Sequence, residues 1–102
     1  MKTPRARSPN HPTGAQLRGA RGLLNLSVLD LSERTGLAVN TIKRAEATND
    51  FAPINRANAN LLVTVLQNLG VVFLPADEMV GAGVRLEASD TPTFARRRNG
   101  EC

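Results

Sequence analysis

Residues 40–44 bring together side chains of the types that read duplex DNA. They are Asn40, Thr41, Lys43 and Arg44. An amide can form two hydrogen bonds to adenine in the major groove and a guanidinium two to guanine, whereas hydroxyl and ammonium groups suit phosphate. We therefore predict that Asn40 and Arg44 contact base edges, that Thr41 and Lys43 contact phosphate, and that the preceding Val39 packs against a thymine methyl group.

The same side chains also occur on the solvated face of any surface helix. For Lys43 alone, this ordinary interpretation is the better one. The set as a whole favours a DNA-binding surface, because it directly follows a well-formed turn between two short helices.

Two helices and a tight turn are predicted to position this cluster. Ser27 is a good N-cap, and Asp30 places an acidic group in the first turn, where it opposes the positive helix end. Gly36 suits the left-handed conformation that ends a helix and redirects the chain. The pattern predicts helices over residues 28–35 and 39–48.

The residues around the turn keep a recognisable spacing of small, glycine, apolar and branched apolar types. They are Ser32, Gly36, Leu37 and Ile42. In this spacing, residues 15–70 resemble the phage repressor and Cro family of regulators, often called XRE-like. The resemblance implies a helix-turn-helix fold that binds double-stranded operator DNA through the major groove.

The resemblance also implies roles for individual residues. In that family an arginine on the first helix pairs with a glutamate at the end of the recognition helix, and Arg21 and Glu46 occupy the matching positions. Ala38 stands where the family usually has a serine or threonine cap, and it is included in the predicted DNA-binding surface. Val28 stands where the family usually has a glutamine that contacts the DNA backbone.

The remaining pattern predicts a mainly α fold. A first helix is expected over 14–25 and a fourth over 55–69, which completes a four-helix helix-turn-helix domain at 13–70. A β-prone run and an alternating run then predict a C-terminal β-hairpin over 71–87.

The net positive charge lies mainly outside this domain. The chain of 102 residues has a formal net charge of +4 and a pI near 10.6. Residues 1–12 and 88–102 are predicted to be disordered basic tails, and the part between them is almost neutral. If this part binds DNA, its positive charge must lie on one face. Arg18 and Arg56 are predicted to contact the DNA backbone.

The apolar residues of the hairpin predict a dimer interface. They are Val71, Val72, Phe73, Leu74, Val84 and Leu86. An isolated two-stranded ribbon is only marginally stable in water, so it needs cover from its own helices or from a second copy. A homodimer could place two recognition helices one DNA turn apart on an inverted repeat; alternatively, the hairpin caps the fourth helix of a monomer.

The sequence contains no recognisable site for an enzyme, a metal or a cofactor. His11 is the only histidine and is expected to be solvated in a proline-rich arm. No segment predicts a membrane span or a signal peptide. Cys102 is the single cysteine, which favours a reducing cytoplasm.

We expect a transcriptional regulator that represses, or both represses and activates, promoters of the kind found in phages and other mobile elements. RNA polymerase or a protein antagonist is a possible further partner. The rival hypothesis is a protein-interaction module, such as an antitoxin or an antiactivator, which Val28 and Ala38 favour slightly. A DNA-packaging protein is a third option, against which the near-neutral folded part argues.

Overall fold

The computed structural model describes residues 11–88, so most of both predicted tails lies outside the described residues. Within this range the chain is mainly α, with four helices followed by one antiparallel hairpin. The elements are α1 (Gly14–Leu24), α2 (Val28–Thr35), α3 (Val39–Glu46), α4 (Arg56–Asn68), β1 (Val71–Leu74) and β2 (Gly83–Leu86). No helix in this part of the chain is long and apolar enough to cross a membrane.

Short polar motifs define the ends of the first two helices. Thr13 and Gln16 form a reciprocal capping box at the start of α1, and Ser27 and Asp30 form another at the start of α2. The backbone N–H of Ser27 donates to the Asp30 carboxylate, which lowers the pKa of that carboxyl. Gly36 ends α2 with a φ of 80°, a conformation that costs glycine little. These ends agree with the sequence pattern.

An aliphatic core joins all four helices to the hairpin. Its buried residues are Leu17, Ala20, Leu31, Ile42, Ala45, Ala52, Ile54, Ala59, Leu62, Leu66 and Val71. Alanines at several of these positions allow the helices to approach closely. α1 contacts α3 and also both strands of the hairpin, so it connects the two halves of the fold.

The hairpin lies against the helices of its own chain. Val71 is buried, while Phe73 and Val84, which face each other across the strands, pack against the core. Val71 is therefore covered by its own chain, whereas Phe73 and Val84 are half-buried, and the dimer surface that the sequence predicted stays a prediction. The remaining residues of that predicted set are Val72 and Leu74, which are half-buried, and Leu86, which is exposed.

His11 corrects one expectation from the sequence. It is only 7% exposed, and its Nε2 lies 2.9 Å from the carbonyl oxygen of Ala52, to which it can donate. The ring meets Phe51 edge to face, with 6.2 Å between the ring centroids. The loop after α3 returns to the start of α1, where Ala52 N–H also donates to the Pro12 carbonyl. The prediction of a solvated histidine was therefore wrong.

Candidate nucleic-acid interface

The outer face of α3 is exposed and cationic. The side chains of Asn40, Lys43 and Arg44 are all exposed, and none makes a hydrogen bond or ion pair with another residue of the described range 11–88. Thr41 and Val39 are half-buried on the flanks of the helix. This face leaves an amide and two cations free to meet a polyanion.

The opposite face of α3 is buried. Ile42 and Ala45 have no exposed surface, and Glu46 is 6% exposed. Their spacing of three and four residues puts them on one side of the helix. The buried side fixes the roll of α3, so the same residues always point outward.

Side-chain hydroxyls stabilise the turn before α3. The Ser32 hydroxyl donates to the Leu37 carbonyl at 2.6 Å, and the Thr35 hydroxyl accepts from the Leu37 N–H at 3.1 Å. Ala38 is exposed and provides no side-chain cap, although its carbonyl starts the helical hydrogen bonds by accepting from Thr41 and Ile42 N–H. The start of α3 is thus fixed by α2 and the turn.

The structure brings Arg21 and Glu46 together as a two-pronged ion pair. Arg21 Nε lies 2.9 Å from Glu46 Oε2 and Nη2 lies 2.7 Å from Oε1. Arg21 Nη1 also donates to the Leu26 carbonyl at 3.0 Å. The hydrogen bond to the glutamate raises the pKa of Arg21. Both side chains join α1 to α3, with Glu46 buried and Arg21 half-buried.

Arg18 contacts the protein itself. Its Nη1 donates to the backbone carbonyls of Glu46, at 2.5 Å, and Thr48, at 3.2 Å, while its Nη2 donates to the side-chain oxygen of Asn49. The residue is exposed, in agreement with its predicted outward position on the first helix. Its guanidinium closes the C-terminal end of α3, and its predicted phosphate contact stays a prediction.

Arg56 has a different environment from Arg18. It is the first residue of α4, it is exposed, and no described residue pairs with its guanidinium. The predicted phosphate contact at Arg56 therefore stays a prediction.

The first turn of α2 presents apolar and acidic groups. Val28 is half-buried against the core, and Leu29 is 58% exposed. Asp30 and Glu33 are both exposed nearby on the same helix. Carboxylates repel phosphate, so this turn is a poor DNA contact and α3 remains the candidate surface.

The described residues contain no group of three or more His, Cys, Asp or Glu side chains placed to hold a metal ion. A groove of about 850 Å³ lies beside α4 and β1, and its lining includes His11, Phe51, Asn60 and Phe73. The Nε2 atom of His11 already faces the Ala52 carbonyl. The groove is therefore a weaker candidate for a functional site than the exposed face of α3.

No protein-family model, curated protein or solved structure matches the chain.

Proposed function

We propose that this chain is a sequence-specific DNA-binding transcriptional regulator, in which α2 and α3 act as a helix-turn-helix and α3 enters the major groove. One observation carries the proposal: Asn40, Lys43 and Arg44 are exposed and unpaired within residues 11–88, on a helix whose other face is buried. An exposed amide and two exposed cations suit contacts to base edges and to phosphate.

The dimensions of α3 suit this role. With its side chains, an α-helix such as this one of 8 residues is about 10–12 Å in diameter. The major groove is about 12 Å wide and admits one helix. Asn40 and Arg44 are four residues apart and so lie on one face, as the proposed contacts to adjacent bases require.

A homodimer on an inverted repeat is part of the proposal, because a single eight-residue helix reads few base pairs. The hairpin offers an apolar surface for a second copy. Met79 is 88% exposed and Val80 65% exposed in the loop between the strands, and Leu86 is 43% exposed on β2. Of the interface that the sequence suggested, Val72 and Leu74 lie on the outer face of the hairpin, whereas Leu86 lies opposite Val71 on the face that packs toward the core.

The same loop supports a second candidate function, a module that binds a partner protein in the manner of an antitoxin or antiactivator. Exposed apolar side chains near one another commonly mark protein contacts. In this alternative, α3 does not bind DNA.

A selection from random DNA duplexes with the full chain tests both candidates. We expect enrichment of one inverted repeat, at which affinity falls steeply with salt. About six phosphate contacts give a slope of log K against log salt near −5. Failure to enrich any sequence would reject the regulator, and an enriched single half-site would reject the dimer.

A further inference from the structure

One face of α1 meets the C-terminal end of α3 at three successive points. Arg18 follows Gly14 by four residues, and Arg21 follows Arg18 by three. All three residues therefore lie on the same side of α1. At Gly14 the backbones approach so closely that an added Cβ would lie 1.9 Å from the Thr48 carbonyl oxygen. The Gly14 N–H also donates to the Asp50 carbonyl at 2.8 Å.

Both arginines of this face bind the same residue of α3, Glu46, at different groups. Arg21 binds the carboxylate of Glu46, and Arg18 binds its backbone carbonyl. Carbonyls at the end of a helix lack intrahelical partners and carry partial negative charge. A guanidinium is well suited to them, because it is cationic and offers several donors in one plane.

Arg18 extends this contact beyond the helix. Its bonds to the Thr48 carbonyl and to the Asn49 side chain fix the segment that leaves α3. The Arg18 bonds therefore constrain the tilt of α3 relative to α1, together with the Arg21–Glu46 pair and the close approach at Gly14, whereas the buried residues of α3 fix its roll. A change in tilt would move the outward side chains at the far end of the helix relative to any bound duplex.

We propose that Arg18 is a positioning residue that sets the angle at which α3 is presented to DNA, and that it governs base specificity and makes no phosphate contact. The inference rests on the proposed function. A phosphate contact strengthens binding to every sequence alike, whereas correct placement of base-reading side chains favours only the operator. Specificity and salt dependence therefore separate the two roles.

The test compares Arg18→Gln with the wild-type chain, on the selected operator and on an unrelated duplex, over a series of salt concentrations. We expect the ratio of operator affinity to unrelated-duplex affinity to fall about tenfold, while the salt slope stays unchanged. Arg56→Gln is the matched control, because Arg56 is an exposed cation that is predicted to contact phosphate and has no partner among the described residues. It should leave the ratio unchanged.

Asn49→Ala provides a second variant that keeps the charge of Arg18 and removes one of its partners. We expect the ratio to fall in the same direction by a few fold, and this variant decides the question if Arg18→Gln does not fold. Loss of folded protein alone would weaken both duplexes equally and leave the ratio intact.

Three outcomes would overturn the inference. The first is an equal loss on both duplexes with a salt slope shallower by about 0.9, which marks a lost phosphate contact. The second is an unchanged ratio in the folded variants. The third is a wild-type chain that enriches no duplex, which would reject the proposed function itself and is seen before any variant is made.

Discussion

The outer face of α3 and the loop between the two strands are both exposed, but they differ in chemistry. Asn40, Lys43 and Arg44 give α3 a polar, cationic surface. The loop displays Met79 and Val80 next to acidic residues. A polyanion fits the first surface and would be repelled at the second, so the proposed DNA contact belongs to α3 and the loop is better suited to a protein partner.

The two regions also differ in how they are held. Helix α3 depends on residues far away in sequence, since Arg18 and Arg21 reach it across 25 to 31 positions. The loop depends on its nearest neighbours: one Asp77 carboxylate oxygen accepts from the N–H groups of Met79 and Val80, both at 2.8 Å. Damage to the α1–α3 contact should therefore affect the whole fold, whereas damage to the loop should remain local.

Gly14→Ala should have the largest effect. The new Cβ would meet the backbone oxygens of Thr48 and Ala45, at 1.9 and 2.7 Å, and neither can move without separating α1 from α3. We expect a loss of about 3 kcal/mol or more in the free energy of unfolding, measured by urea denaturation.

Gly22→Ala is the matched control for this substitution. Gly22 lies on the same helix, and an added Cβ there would meet nothing within 4 Å. It should raise stability by about 0.5–1 kcal/mol, because alanine favours the helix over glycine. Similar losses at both glycines would show that α1 tolerates no side chain for reasons unrelated to α3.

Glu46→Ala should have the next largest effect. It leaves the Arg21 guanidinium, which is 22% exposed, without its carboxylate. Removing one partner of a fully buried pair costs about 3–5 kcal/mol, and the partial exposure of Arg21 reduces this to about 2–3 kcal/mol. Glu33→Ala, at an exposed acid of α2, should change the urea midpoint little. A negligible loss of stability in Glu46→Ala would mean that apolar packing, and not the ion pair, holds α1 against α3.

Substitutions on the outer face of α3 should weaken DNA binding and hardly change the free energy of unfolding. Arg44→Ala should weaken operator binding by about 1–3 kcal/mol and relax the preference at one base pair, whereas Lys43→Ala should weaken all duplexes alike. Titrations on operator and unrelated DNA distinguish the two residues. Equal losses on both duplexes for both variants would remove the distinction between base and phosphate contacts.

Features that depend on neighbouring residues could be predicted from the sequence. The capping pair Ser27–Asp30 and the turn at Gly36 need only a few adjacent positions. The four helices and the hairpin follow from hydrophobic periodicity and from these punctuating residues. Their bounds differ from the predicted ones by one or two residues at several ends.

Features that depend on backbone atoms far away in sequence could not be predicted. His11 and Arg18 both face carbonyl oxygens, which every residue possesses, so no residue type marks the partner. Helix α3 was predicted to reach residue 48. It ends at Glu46, a difference of two residues that is ordinary at a helix end.

Acid pH should produce the smallest effect, confined to the hairpin loop. Hydrogen bonds from the Met79 and Val80 N–H groups lower the pKa of Asp77 below its ordinary value of 3.8. The ionised carboxylate therefore stabilises the folded turn above the unfolded pKa, and this contribution is lost as the pH falls through the lower, folded pKa. In an NMR titration, the amide signals of Met79 and Val80 should shift with a midpoint below 3.8, and in Asp77→Ala they should no longer titrate together. Signals of α3 that moved with the same midpoint would show that the loop and the helix are coupled, and the contrast between a local turn and a long-range contact would fail.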